Sequence, residues 1–144
     1  GTDELGPIGH GWTYSAHPIC AAAGVANLKL VDDLGLVKNA RETGAYLKKA
    51  MTEAVGDHPH VGDVRGEGML CSVEFVEDKE KRGFFDPAKK TGPAVAAALL
   101  KRGVIGRAMP QGDILGFAPP LCLTREEAGT IVSATADAVK EVLG

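Results

Sequence analysis

No stretch of this sequence is long and apolar enough to span a bilayer, which excludes a helical membrane segment. The opening residues Gly1-Thr2-Asp3-Glu4-Leu5-Gly6-Pro7 have no basic region followed by an apolar one, so no signal peptide is expected. The chain begins on glycine, as a processed or excised piece would. Cysteine is scarce: Cys20, Cys71 and Cys122 are odd in number and widely spaced, which argues against a disulfide framework. Each lies in an apolar run, so three small buried thiols in a reducing cytoplasm are expected. Charge of one sign is lacking too. The net charge of -3 offers no electrostatic reason for nucleic acid or an anionic membrane as partner. Basic pairs such as Lys48-Lys49 and Lys89-Lys90 read as solvated positions. There is no internal repeat and no low-complexity segment.

What remains is ordinary for a soluble globular domain: 144 residues, 44% apolar and 24% charged, enough for one core. The period of the apolar residues changes along the chain. Residues 1–16, with Trp12 and Tyr14 among glycines, read as an ordered loop. Pro18 suits the first turn of a helix. That helix runs through Val31 and is apolar on nearly every side, so burial is expected, partly against another chain or domain. Gly35 ends it. A second helix follows from Leu36 to Ala54, with Val37, Ala40, Gly44, Leu47, Met51 and Ala54 as its packed stripe.

Then the period becomes two. Met69, Cys71, Val73 and Phe75 alternate with Leu70, Ser72 and Glu74, after a short strand or bend over Val61–Arg65. An exposed turn covers Glu77–Arg82. A helix over Thr91–Arg102 stops at Gly103. Val104-Ile105 and Ile114–Phe117 read as strands joined by the turn Met109–Asp113. Thr124-Arg125-Glu126-Glu127 is a capping box that opens a last helix, with Ala128, Ile131, Val132, Thr135, Ala138, Val139 and Val142 along one side. The fold class is therefore α+β, a small antiparallel sheet with helices packed against it.

Few groupings carry chemistry. His10, His17 and Cys20 match no common zinc spacing, so no metal is expected. Gly62, Gly66 and Gly68 lead into a strand rather than a helix, so they read as bends, not a phosphate cradle. Lys29, on the apolar helix, is the lysine expected to be partly buried, its stem along the helix and its head in water. The loop Gly9-His10-Gly11-Trp12-Thr13-Tyr14-Ser15-Ala16-His17-Pro18 combines glycines, a hydroxyl, aromatic rings and a following helix. Exposed N–H groups plus a hydroxyl can hold a phosphate. From the residues alone, a packed loop ahead of a helix explains it as well or better.

That loop closely resembles the signature that class III pyridoxal-phosphate-dependent aminotransferases carry after their cofactor lysine. The resemblance implies that Thr13 contacts the cofactor phosphate of the neighbouring subunit, with Trp12 beside it in a place commonly held by Phe. The family often has glycine where this chain has Ala16. Asp63-Val64-Arg65-Gly66-Glu67-Gly68-Met69-Leu70 resembles the run that opens the family's small C-terminal domain. Arg107, ahead of Gly112-Asp113-Ile114 and Phe117-Ala118-Pro119-Pro120-Leu121, resembles the arginine of the ω-amino-acid:pyruvate branch. There it pairs with the carboxylate of the amino acceptor, as a planar guanidinium can.

The resemblance thus implies the C-terminal part of a fold-type-I enzyme that binds pyridoxal 5'-phosphate. Residues 1–35 would form the cofactor-phosphate loop and buried helix, and 36–144 the small domain. No lysine here stands in the motif of the Schiff-base lysine, so this chain alone is expected to be inactive and to contribute no catalytic residue. The full-length enzyme would be a cytoplasmic homodimer or higher homo-oligomer. It would move an amino group from an amine or ω-amino acid to pyruvate or a similar keto acid. The alternatives are another class III chemistry (aminomutase or decarboxylase) or a non-catalytic stand-alone interaction domain.

Overall fold

A computed structural model describes residues 2–6, 9 and 11–144. The elements in chain order are α1 (Thr2–Leu5), α2 (Pro18–Asp33), α3 (Leu36–Val55), β1 (Val61–Glu67), β2 (Leu70–Phe75), α4 (Thr91–Leu100), β3 (Arg107–Ala108), β4 (Ile114–Phe117) and α5 (Arg125–Leu143). They form two compact units, Gly1–Leu34 and Gly35–Gly144.

The first unit holds α1, a turn over residues 13–16, and α2. Helix α2 starts as its sequence dictates. His17 stands at the N-cap with extended backbone and Pro18 follows in the first turn, where no N–H is needed. None of its residues is buried, and Ile19, Val25, Leu28 and Leu30 are exposed. The expectation of a buried helix is therefore not met within this chain. An apolar stripe demands cover but does not say which polypeptide supplies it. For the same reason Cys20 and Lys29 are exposed rather than buried.

The second unit is a four-stranded antiparallel sheet in the order β1-β2-β4-β3. Alternation decides its faces. Cys71, Val73 and Phe75 of β2 and Leu115 and Phe117 of β4 are buried, while Ser72, Glu74, Ile114 and Gly116 point the other way. Helix α3 packs on β1 and β2, α4 packs on β3 and β4, and α5 lies against both helices. Leu47, Met51 and Val55 of α3 join Val95 and Leu99 of α4 and Ala128, Ala138 and Val139 of α5 in one core. Cys71 sits inside it, and burial pushes its thiol above the usual range. Cys122, expected to be buried, is exposed in the turn that follows Pro119-Pro120.

The stripe of α3 is as expected at its centre, where Gly44, Leu47 and Met51 are buried, and departs from it at both ends. Thr43, Gly44, Leu47, Met51 and Val55 are buried, while Val37 and Ala54 face solvent. Gly44 explains the closeness of α3 to the hairpin: a Cβ there would lie 1.8 Å from the Gly68 carbonyl oxygen. Gly68 itself has φ +55, which the β1–β2 turn requires. Strand β1 is also longer than expected, because Asp63 to Glu67 pair in register with Glu74 to Leu70.

One strand lies further along the chain than its sequence pattern predicts. Val104-Ile105 is not a strand, and Ile105 is 83% exposed. The cause is the end of α4. Gly103, at φ +78, donates its N–H to Leu100 O, and Val104 donates to Leu99 O. This is a Schellman closure, and it takes the donor that a strand would have used. The chain then passes close against the core at Gly106, where a Cβ would meet Leu99 and Leu115, and β3 starts at Arg107. The last helix matches its signature. Thr124 Oγ1 accepts the Glu127 N–H at 3.2 Å, and Glu127 Oε2 accepts the Thr124 N–H at 2.8 Å. These bonds hold the Glu127 carboxyl below the usual carboxylate range.

Two glycines should respond oppositely to alanine. Gly44→Ala should lower stability by about 1–3 kcal/mol, because α3 and the hairpin turn must separate. Gly129, inside α5, has only Tyr46 Oη nearby, at 3.9 Å from a Cβ, so Gly129→Ala should add about 0.5–1 kcal/mol. Urea unfolding measures both; shifts of the same sign would refute this packing.

Candidate functional site

In the first unit, two overlapping turns shape the loop ahead of α2. The Trp12 carbonyl accepts the Ser15 N–H at 2.9 Å, and Ser15 Oγ accepts the Trp12 N–H at 2.8 Å. The Tyr14 carbonyl accepts the His17 N–H at 3.1 Å, and the Tyr14 and His17 rings meet edge to face with centroids 6.4 Å apart. Trp12 and Tyr14 are 72% and 78% exposed. Within the second turn, Ala16 has φ +60, a left-handed conformation costly for a residue with a Cβ. A glycine would adopt this backbone without that cost, so this chain bears a strain there.

Thr13 lies at the exposed crest of this loop. Its hydroxyl and the N–H groups of Thr13 and Tyr14 make no hydrogen bond among the described residues. A hydroxyl beside uncommitted backbone donors is a donor set that fits a phosphate. His10, named as a conceivable metal ligand, lies outside the described residues. His17 caps α2 and Cys20 follows on the helix; no group of three or more metal-ligating side chains occurs among the described residues.

In the second unit, Arg107 stands on β3 opposite Gly116 of β4. The register Arg107–Gly116–Ser72–Arg65 runs as one row across all four strands, on the face away from the core. The arginines at its ends differ. Arg65 donates to Asp63 Oδ2 at 2.9 Å and to Glu74 Oε2, and these bonds raise its hold on its proton. Arg102 pairs with Glu141 at 2.7 Å, and Arg125 lies 5.4 Å over the Tyr46 ring. Arg107 is exposed and has no carboxylate partner among the described residues. With Val104-Ile105 expected as the strand, Arg107 would follow its end. It stands instead on an edge strand, which fixes the root of its side chain.

Asp113 was read only as turn chemistry, yet it anchors the β3–β4 turn. Its Oδ1 accepts the Gly92 N–H at 2.8 Å in the first turn of α4, and its carbonyl accepts the Phe75 N–H at 2.8 Å. A carboxylate at a helix start is favoured by the helix dipole. The signal that could have found it is the pairing of an acid in a turn with a helix start about twenty residues earlier, which periodicity does not register.

The class III aminotransferase family model matches residues 2–139. This chain belongs to the class III aminotransferases. The diaminobutyrate–2-oxoglutarate transaminase of Halomonas elongata is 57% identical over 99% of the chain, which spans 30% of that relative. A solved structure from the directed evolution of transaminases by ancestral reconstruction is 57% identical over 99% of the chain and 31% of its own, with a TM-score of 0.91. An amine transaminase from an uncultivated Pseudomonas species, solved with pyridoxal phosphate bound, is 37% identical over 99% of the chain and 31% of its own, with a TM-score of 0.85. The chain thus spans about 30% of the relatives it matches. The α+β architecture is that of the corresponding part of these enzymes, and the family depends on pyridoxal phosphate.

Replacing Ala16 by glycine removes the strain at φ +60 but frees the unfolded chain, for a net gain of about 0.5–1 kcal/mol. The Ser15 and His17 amides should then exchange about two- to fivefold more slowly with solvent, as NMR would show. Faster exchange would mean that the turn does not need the left-handed conformation.

Proposed function

We propose that the full-length enzyme containing this chain is an aminotransferase that moves an amino group from an amine or ω-amino acid to pyruvate or a similar keto acid. The observation that carries this reading is Arg107, an exposed guanidinium without a carboxylate partner on the open face of the sheet. A keto acid offers the carboxylate that such a group binds bidentately, which fixes both charge and orientation. The identity with the diaminobutyrate–2-oxoglutarate transaminase favours a second reading of the same chemistry. There the donor has a terminal amine and the acceptor is 2-oxoglutarate, which also presents a carboxylate to Arg107.

In this proposal Thr13 and the nearby backbone N–H groups donate to the cofactor phosphate of the neighbouring subunit, and Trp12 lies beside it. When bound, pyridoxal phosphate supplies the electron sink for breaking a bond at the amino-bearing carbon. The residues of this chain bind and orient; the lysine that moves the proton belongs to the rest of the enzyme. The chain by itself is therefore inactive. The full-length enzyme is a cytoplasmic homodimer or higher homo-oligomer, and its partners are small amines and keto acids, not nucleic acid or membrane. No helix among the described residues is long and apolar enough to cross a membrane.

Two measurements on the full-length enzyme test this. Thr13→Ala removes a hydrogen bond to a charged group, worth about 1.5–3 kcal/mol, so the cofactor should dissociate about ten- to a hundredfold more readily in equilibrium dialysis. Unchanged retention would remove Thr13 from the phosphate site. Arg107→Ala should lower kcat/KM for pyruvate or 2-oxoglutarate at least tenfold more than for a carboxylate-free amine or propanal, with half-reactions measured separately. Equal losses across these substrates would make Arg107 structural.

A further inference from the structure

Glycine is costly inside a strand, because it gives up backbone freedom and leaves no side chain to pack. Most glycines of the second unit answer for that cost. Gly35, Gly68, Gly103 and Gly112 have positive φ. At Gly44, Gly56, Gly62, Gly66 and Gly106 a Cβ would come within 3.0 Å of another atom. Gly116, inside β4, meets neither demand. Its φ lies outside the left-handed range, and an added Cβ would find only ordinary contacts: Met109 Sδ at 3.4 Å, Arg107 O at 3.8 Å and Ser72 Oγ at 4.0 Å. Neither backbone conformation nor packing among the described residues calls for glycine there.

Its place in the sheet is specific. Gly116 is the direct register partner of Arg107, and Ser72 is the next residue inward along the row. The row points away from the core, whose side Leu115 and Phe117 fill. The missing side chain therefore leaves a notch on the open face, beside the root of Arg107 and walled by Met109 and Ser72. A glycine inside a strand commonly marks a bulge, a bend, or a place where a ligand or another backbone comes close, and β4 keeps an unbroken register with both of its neighbours at Gly116, without a bulge. The ligand is favoured by the neighbour: a guanidinium without a partner, about one strand spacing away.

We infer that Gly116 is a specificity-determining residue, and that the carboxylate end of acid substrates held by Arg107 lies in the notch above it. This rests on the reading of Arg107 given above. Any side chain at 116 would occupy the volume that the carboxylate and its attached carbon need. A carboxylate-free substrate does not place a group there.

The experiment uses the full-length enzyme with Gly116→Val and Gly116→Ala, and Arg107→Ala in parallel. Valine should lower kcat/KM for pyruvate and 2-oxoglutarate at least tenfold, alanine by less, and propanal should change by less than twofold for both. Glutarate, an unreactive dicarboxylate, should bind the valine variant at least tenfold more weakly by titration calorimetry. The Tm should not fall, since β-branched residues suit strands better than glycine. Unchanged acid kinetics and glutarate affinity would overturn the inference. So would a lower Tm with equal losses on all substrates, which would mean that another stretch of polypeptide lies over Gly116. If Arg107→Ala is selective for acids while the Gly116 variants are not, only this inference fails. If Arg107→Ala shows no acid selectivity, the reading of Arg107 itself fails.

Discussion

A strand side chain points to one face of its sheet or the other, and in this sheet helices cover a single face. Phe75, Val73 and Cys71 on β2 and Leu115 and Phe117 on β4 are driven to the covered side, where α3 and α4 meet them. Each inward residue sends its neighbours outward. Ser72, Glu74 and Gly116 thus form the open face as a consequence of where the apolar residues go, and Arg107 joins them through its pairing with Gly116. A slip of one residue between β3 and β4 would turn Arg107 toward Leu99 and Leu115 and bury a charge. The core therefore determines the direction of the candidate binding group.

The β3–β4 connection shows how that register is held. Only two residues of β3 pair with β4, which is little for an edge strand. The Schellman closure of α4 at Gly103 and Gly106's close approach to the core aim the chain into β3. On the far side of the turn, Asp113 ties β4 to the first turn of α4 and to Phe75. The helix that covers this end of the sheet is thus bonded at both ends to the segments that carry Arg107.

The two units relate to their surroundings differently. The second has its own core and a last helix closed by a capping box at Thr124. The first exposes the apolar residues of α2, together with Trp12 and Tyr14. Apolar surface of that extent is ordinarily covered in the working form of a protein. The chain spans about 30% of the relatives it matches, so it holds only part of the polypeptide such an enzyme would offer as cover.

The amino-acid sequence by itself determined what depends on neighbours along the chain. The capping box of α5, Pro18 in the first turn of α2, the alternation of β2 and the stop at Gly103 are local patterns with local causes, and each stands where it was read. The family signature around Thr13 was equally legible, because it is a string of adjacent residues. The tertiary structure alone decided what depends on residues far apart. Val37 and Ala54, at the two ends of the expected stripe of α3, face solvent while Val55 is buried, because burial there depends on which distant surface the helix end meets. Cys20 is exposed although its surroundings are apolar, since burial needs a covering surface and not only an apolar sequence. The pairing of Arg107 with Gly116 joins two strands across a turn, and no periodicity within either strand encodes which residue faces which.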